Sequence, residues 1–453
     1  MFSASDPTLN ETHMTFQHDL LAKATEEFPT ASRSAYLDTA CIGIASQSAA
    51  RAVLGFVDQV QHRPPGSGTE HHGRLNDARD SARPRVAQLI GSAAGDIAIV
   101  ENATHALNLA ARALPLGPGS VVAMAETEYI QMGVTWSQLA DQGVTIRRIR
   151  QPSGEIPVDL LDRYLDKSIS ALAISSVQWT SGFRADLDKI SEMCRDRGVF
   201  LVVDAAQQIG CVPFNVTETP VDILFSSGHK WLNSPFGSSF LYLSPNIRPR
   251  LRRPQFGFFA ALPPADTWGQ AFLNPDISPF MEFAYTEEAR AWETGGTSNY
   301  LGGIGLAAAV DLVLEQDPRA IWANVFALTE YLLEGLRRLA VRIVTPEAAR
   351  HRSGIITFTT GENQADMLLA HHLSGAGVSV SVRYAGGVGG IRVSCHWFNC
   401  HADLELLLDA VASFLRRPTA ARGAVSETGA APHPAADMQM AGTLRGARGG
   451  DVR

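Results

Sequence analysis

The chain has 453 residues, with 38 basic and 46 acidic side chains giving a formal net charge of −8, and it is 45% hydrophobic, 19% charged and 8% aromatic. Those proportions exclude a disordered or fibrous class for the bulk of the chain, and the length suggests two or three domains around a large core. The acidic balance, with no basic run beyond Arg248, Arg250, Arg252 and Arg253, argues against nucleic acid as a partner, because few phosphates could be neutralised.

From the N-terminus, the first twenty residues carry Asp6, Glu11 and Asp19 and no apolar centre, so they do not read as a secretory signal. No run of 18 apolar residues follows, which leaves no membrane span. Cys41, Cys194, Cys211, Cys395 and Cys400 are odd in number and scattered, with no CxxC pair and no zinc-like spacing. They read as small apolar residues in a reducing compartment. The expectation is a cytoplasmic protein with a small-molecule ligand and no metal.

Between residues 85 and 245, short apolar runs alternate with helical patterns, predicting a mostly parallel sheet flanked by helices. The strands are expected at Ile97–Val100, Val121–Ala125, Thr145–Ile149, Ala171–Val177, Val199–Asp204, Ile223–Ser226 and Ser239–Leu243, with helices such as Thr104–Leu114 and Leu187–Arg197 between them. Residues 245–292 concentrate Phe256, Phe258, Phe259, Trp268, Phe272, Phe280, Phe283, Tyr285 and Trp292 among prolines. They read either as loops packed on the core or as a pocket wall or subunit interface.

Helices are expected at Leu301–Glu315 and Ala320–Leu339, strands at Gly354–Thr359, Val378–Val382 and Gly390–Cys395, and a last helix at Ala402–Leu415. The organisation is therefore an α/β fold: an N-terminal arm (1–35), a large domain (36–305), a smaller α+β domain (306–417) joined by part of the arm, and a tail (418–453). The tail, rich in Ala, Gly, Pro and Arg, has too few large apolar residues to offset its ordering entropy and is expected to be disordered.

Three stretches carry chemistry. In Val221-Asp-Ile-Leu-Phe-Ser-Ser-Gly-His-Lys-Trp-Leu-Asn-Ser-Pro-Phe-Gly-Ser-Ser-Phe-Leu241, Lys230 follows a buried strand, where a sheet of this kind meets its ligand. Partial desolvation there would make its amine a nucleophile. In Val199-Phe-Leu-Val-Val-Asp-Ala-Ala-Gln-Gln208, an apolar run delivers Asp204 at a strand end. Asp204 is either a simple cap or the carboxylate that faces the pyridinium nitrogen of a pyridoxal phosphate ring. In Ile99-Val-Glu-Asn-Ala-Thr-His-Ala-Leu-Asn108, a strand turns through small residues into a helix start, a common phosphate site.

Together these stretches resemble the class V aminotransferase family of fold type I pyridoxal phosphate enzymes, over roughly residues 35–415. That family includes cysteine desulfurases, carbon–sulfur lyases, kynureninases and isopenicillin N epimerase. The resemblance implies a mostly parallel seven-stranded-type sheet with a smaller C-terminal domain, and pyridoxal 5'-phosphate carried by Lys230. It implies Asp204 at the ring nitrogen, Gln207 near the phenolic oxygen, and Ala103, Thr104, Ser227 and His229 around the phosphate. Glu128-Tyr129, followed by Trp136, is similar to the ring-stacking position, assigning that role to Tyr129. Ser176-Val-Gln-Trp-Thr-Ser-Gly182 resembles the loop that sets a polar side chain, here Gln178, beside the reacting carbon. Glu293-Thr-Gly-Gly-Thr-Ser-Asn299 resembles the segment by which Thr297 reaches the phosphate of a second subunit, implying a homodimer. Gly390-Ile-Arg-Val-Ser-Cys-His-Trp-Phe-Asn399 resembles the strand presenting an arginine, Arg392, to the substrate carboxylate.

The family alone does not name the reaction. Cysteine desulfurases carry a nucleophilic cysteine shortly before the carboxylate-binding arginine, but residues 373–391 contain none, and Cys395 and Cys400 come after Arg392. Leu37-Asp-Thr-Ala-Cys41 is most similar to the carbon–sulfur lyases of secondary metabolism and antibiotic pathways. The expectation is a β-eliminating lyase on a cysteine S-conjugate. An aminotransferase, an epimerase, a decarboxylating oxidative deaminase and a non-catalytic regulator are the alternatives.

Overall fold

The structure, a computed structural model, describes residues 20–62, 64–297 and 299–417. The start of the expected arm and the 418–453 tail lie outside the described residues. A short strand, β1 (Ala35–Tyr36), precedes seven strands that build one sheet: β2 (Ile97–Val100), β3 (Val121–Ala125), β4 (Thr145–Ile149), β5 (Ile169–Ser175), β6 (Phe200–Asp204), β7 (Ile223–Ser227) and β8 (Ser239–Leu243). Their spatial order is β2-β8-β7-β6-β5-β3-β4, and β8 alone runs against its two neighbours. Every residue of β2, β7 and β8 is buried, because helices cover both faces, whereas edge strand β4 buries only Ile149. This is the α/β sheet that the alternating apolar runs predict.

Local signals set the helices that matter to the site. Asn102 caps the helix Ala103–Ala113, its side chain accepting from His105 N at 2.8 Å. Asp186 caps Leu187–Arg197, and Gly198 ends that helix at φ 67°.

The C-terminal part holds β9 (Arg342–Ile343), β10 (Ile355–Thr359), β11 (Val378–Ser379), β12 (Ser381–Ala385) and β13 (Val388–Ser394). An antiparallel sheet runs β12-β13-β10-β9, with helices Pro318–Arg337, Asn363–Gly375 and His401–Leu415 beside it. The expected single strand Val378–Val382 is two strands. β11 pairs in parallel with β1 through Ala35 and Val378, so the chain changes sheets at Val380 before pairing with β13. That pairing ties the end of the N-terminal arm to the C-terminal part. The expected break at 305/306 falls inside the helix Tyr300–Glu315, whose apolar residues pack on helices Gln47–Gln61 and Ala82–Ile90, and the backbone first leaves the helix at Gln316.

In the 245–292 segment Trp292 belongs to the core, but Phe256 is 86% and Phe280 94% exposed. Among the described side chains of this segment, no aromatic residue lines the cavity described next. Among the described residues no helix is long and apolar enough to cross a membrane.

Candidate active site

A cavity of about 260 Å³ opens at the carboxyl ends of β5, β6 and β7, closed on one side by β12 and β13. Such crevices at strand ends are where open α/β sheets bind ligands. Of the chain's four lysines, only Lys230 lines it. Three residues past β7, Lys230 sits in a turn held from outside: Gly43 N–H donates to His229 O at 2.8 Å, and Asn233 N–H to Lys230 O at 3.1 Å. A Cβ on Gly43 would stand 2.0 Å from Lys230 O, so the close approach of the N-terminal segment needs glycine there.

Burial lowers the Lys230 pKa, Asp204 opposes that shift, and Arg392 adds to it. Asp204 ends β6 beside it; burial pushes this carboxyl up, while Lys230 and the Ala206 N–H, 2.9 Å from Oδ1, pull it down. His229 is held down to about 4, by burial first and then by Lys230, so its ring is neutral at pH 7, stacked on Phe236 at 4.9 Å. The Tyr129 ring lies 5.9 Å from Lys230 Nζ and meets Trp179 edge-on at 5.3 Å.

Ala103, Thr104, Tyr129, Asp204, Gln207, Ser227, His229, Lys230 and Arg392 all line this one cavity. Two expected residues do not. Gln178 is fully buried behind it, its amide donating to Glu128 Oε1 at 3.1 Å, while its neighbours Val177 and Trp179 face the cavity. The alternation of an extended backbone turns every second side chain away, and the motif placed the polar residue on the wrong side of that alternation. Thr297 is exposed and lies outside this chain's cavity. Trp136 is also core, with no exposed surface. Gln207 reaches the cavity with its amide already engaged, donating to Ala40 O at 3.0 Å and accepting from Trp231 Nε1 at 2.8 Å.

Sequence reasoning missed Cys41, Trp179 and Arg383, which also line the cavity. It missed Asp38 too, whose Oδ1 lies 3.3 Å from Arg392 Nη2. Arg392 also donates to Trp179 O at 3.1 Å and is only 2% exposed. Arg383 is placed there by the register of β12 on β13, which a period-2 reading of either strand alone does not give.

The residues present fit a phosphorylated pyridine cofactor. Ser227 Oγ faces the cavity, buried and without a hydrogen-bond partner among the described residues, and the N-terminus of the Ala103–Ala113 helix opens beside it. Together with Lys230, in the turn after β7, and Asp204, at the end of the adjacent parallel strand β6, this defines the site of a fold type I pyridoxal phosphate enzyme. The family model for class V aminotransferases matches residues 35–407, and the chain belongs to that family. Its cofactor is accordingly pyridoxal 5'-phosphate.

The relatives differ in chemistry. The chain is 26% identical over 407 residues to a cysteine desulfurase of Haloferax volcanii, covering 83% of this chain and 88% of that protein. It is 27% identical over 345 residues to isopenicillin N epimerase of Streptomyces clavuligerus, covering 73% and 83% respectively. Among solved structures, the apo cysteine desulfurase of Thermococcus onnurineus matches with a TM-score of 0.75 at 21% identity, over 87% of this chain and 98% of that one. The cystine C–S lyase C-DES, solved with cysteine persulfide, matches at 0.76 and 20%, over 85% and 99%. At those identities the structural likeness speaks for the fold.

Proposed function

We propose that this enzyme is a carbon–sulfur lyase acting by β-elimination on a cysteine S-conjugate, working in the cytoplasm as a homodimer. The observation that carries the reading is the β12–β13 hairpin. Where a desulfurase carries its cysteine on a loop, strands Ser381–Ala385 and Val388–Ser394 close through two residues, Gly386 and Gly387, at φ 55° and 81°. Such a two-residue turn leaves no loop to deliver a thiol. Cys395 is fully buried, its thiol pushed far up by burial, and Cys400 lies outside the cavity. All five cysteines are free, as a reducing compartment would keep them.

When bound, pyridoxal 5'-phosphate supplies the electron sink that acidifies the substrate Cα. Lys230 would carry it covalently, and its amine, in the neutral form that burial favours, would take the Cα proton. Asp204 would support the ring nitrogen, Tyr129 the ring face, and Ala103, Thr104, Ser227 and His229 would hold the phosphate, joined by Thr297 of a second subunit. Arg392 fixes the substrate carboxylate. The C–S bond breaks with its electron pair on sulfur, a thiol leaves after taking a proton, and the released enamine hydrolyses to pyruvate and ammonia. The exposed side chains of Phe256, Phe272 and Phe280 support a subunit contact.

One observation favours a second reading, desulfuration, because the Cys41 thiol lines the cavity. Mass-spectrometric product analysis with a cysteine S-conjugate, in wild type and Cys41→Ser, separates the two. Pyruvate with an equimolar thiol in both proteins supports elimination. With free L-cysteine as substrate, alanine together with a persulfide on Cys41, both lost in Cys41→Ser, supports desulfuration. Stoichiometric pyridoxamine phosphate, or carbon dioxide with an aldehyde, defeats both.

A further inference from the structure

The cavity contains a second arginine, for which neither the described residues nor the expected ligands supply an anion. In the β12–β13 register Arg383 stands opposite Gly390 and Ser381 opposite Arg392, so Arg383 and Arg392 share one face of the hairpin as diagonal neighbours. Both line the cavity, and the pKa of Arg392 is lowered by burial first and also by the Arg383 charge, against the opposing pull of Asp38. Their partners differ. Arg392 is ion-paired with Asp38 at 3.3 Å, whereas among the described residues no carboxylate lies within ion-pair distance of Arg383. The Arg383 guanidinium donates to Val382 O at 2.8 Å and to the weak acceptor Cys41 Sγ at 3.5 Å, and its side chain is half-buried.

Charge accounting gives the consequence. Lys230, Arg383, Arg392 and Asp204 line the cavity, Asp38 pairs with Arg392, and His229 is neutral. A cofactor phosphate would fall to the helix N-terminus and Ser227, and one α-carboxylate to Arg392. Arg383 is then left partly desolvated without a counter-charge, a costly arrangement unless a ligand supplies one.

We infer that the substrate is an amino acid with a second anionic group on its side chain, and that Arg383 receives that group while Arg392 holds the α-carboxylate. For a sulfur conjugate this means a thioether whose substituent carries a carboxylate or a similar oxyanion. The inference deepens the lyase reading and rests on it for the amino-acid substrate. A charge-assisted hydrogen bond of this kind corresponds to about 10- to 100-fold in affinity.

The experiment titrates the cofactor-loaded enzyme with S-carboxymethyl-L-cysteine and with its neutral isostere S-carbamoylmethyl-L-cysteine, following cofactor absorbance for affinity and thiol release for turnover. The acid is expected to bind about 10-fold or more tightly than the amide. Arg383→Gln should bring the two affinities within about twofold, and Arg383→Lys, which keeps the charge, should preserve part of the difference and serves if the glutamine variant fails to load cofactor. Equal affinities in the wild type, or a preference that survives in Arg383→Gln, overturn the inference. Preference without thiol release sinks the lyase reading alone, and thiol release from both compounds with equal affinities sinks this inference alone.

Discussion

Asp204 and Lys230 meet at the carboxyl ends of adjacent parallel strands, β6 and β7, and each holds the other's charge against the burial that both experience. Burial disfavours the charged form of each group, and the opposite charge beside it offsets part of that cost.

Lys230 should carry the cofactor. Borohydride reduction followed by peptide mapping is expected to place a phosphopyridoxyl group on the Lys230 peptide. With only Lys23, Lys167 and Lys189 as alternatives, all away from the cavity, the assignment is unambiguous. An adduct on one of those three would refute the site.

Asp204→Asn should fold and retain cofactor but lose most activity, because an amide cannot hold a ring nitrogen protonated. Removing a single electrostatic support at a catalytic centre costs about 2.7–4 kcal/mol of barrier, or 10²–10³ in turnover. Turnover within a factor of ten of wild type would reduce Asp204 to a turn former bonded to Ala206 N–H.

Glu128 predicts a pH dependence of stability. Its buried carboxyl is pushed up to about 7, by burial first, against the opposing hydrogen bonds from the Ser175 N–H and hydroxyl. Between the unfolded value near 4.5 and about 7, the folded state keeps a proton that the unfolded state has lost, so this contribution to stability falls as pH rises through that window. Urea unfolding of the cofactor-loaded wild type and Glu128→Gln at pH 5 and pH 7.5 should show wild type losing ground to the variant at the higher pH. Parallel stabilities would show that Glu128 titrates normally.

Thr297, exposed in the single chain, should serve a neighbouring subunit. Thr297→Ala is expected to weaken cofactor retention more at low protein concentration than at high. Sedimentation of a fully active monomer would eliminate the role.

Much of the fold was legible because buried parallel strands leave an unambiguous trace: the apolar runs that mark β6 and β7 need no long-range information, and they end in Asp204 and in the turn to Lys230. Helix bounds such as Leu187–Arg197 were equally local, fixed by an Asp186 cap and Gly198. Ser227, His229, Thr104 and Arg392 were found because each sits inside a contiguous motif.

What the tertiary structure alone decided are relations between segments far apart in the chain. In the turn after β5, Gln178 goes to Glu128 and Trp179 to the cavity, a choice set by contacts with segments distant in the chain. Cys41 reaches the cavity, and Asp38 reaches Arg392, only because β1 docks on β11 and Gly43 packs against His229. Arg383 becomes the neighbour of Arg392 through a two-glycine turn that sets the register of β12 on β13. The sequence by itself determined the sheet, its cofactor-binding ends and the lysine, all encoded in local periodicity and short motifs. The second cation and the thiol in the cavity come from strand register and long-range packing, which no local pattern specifies.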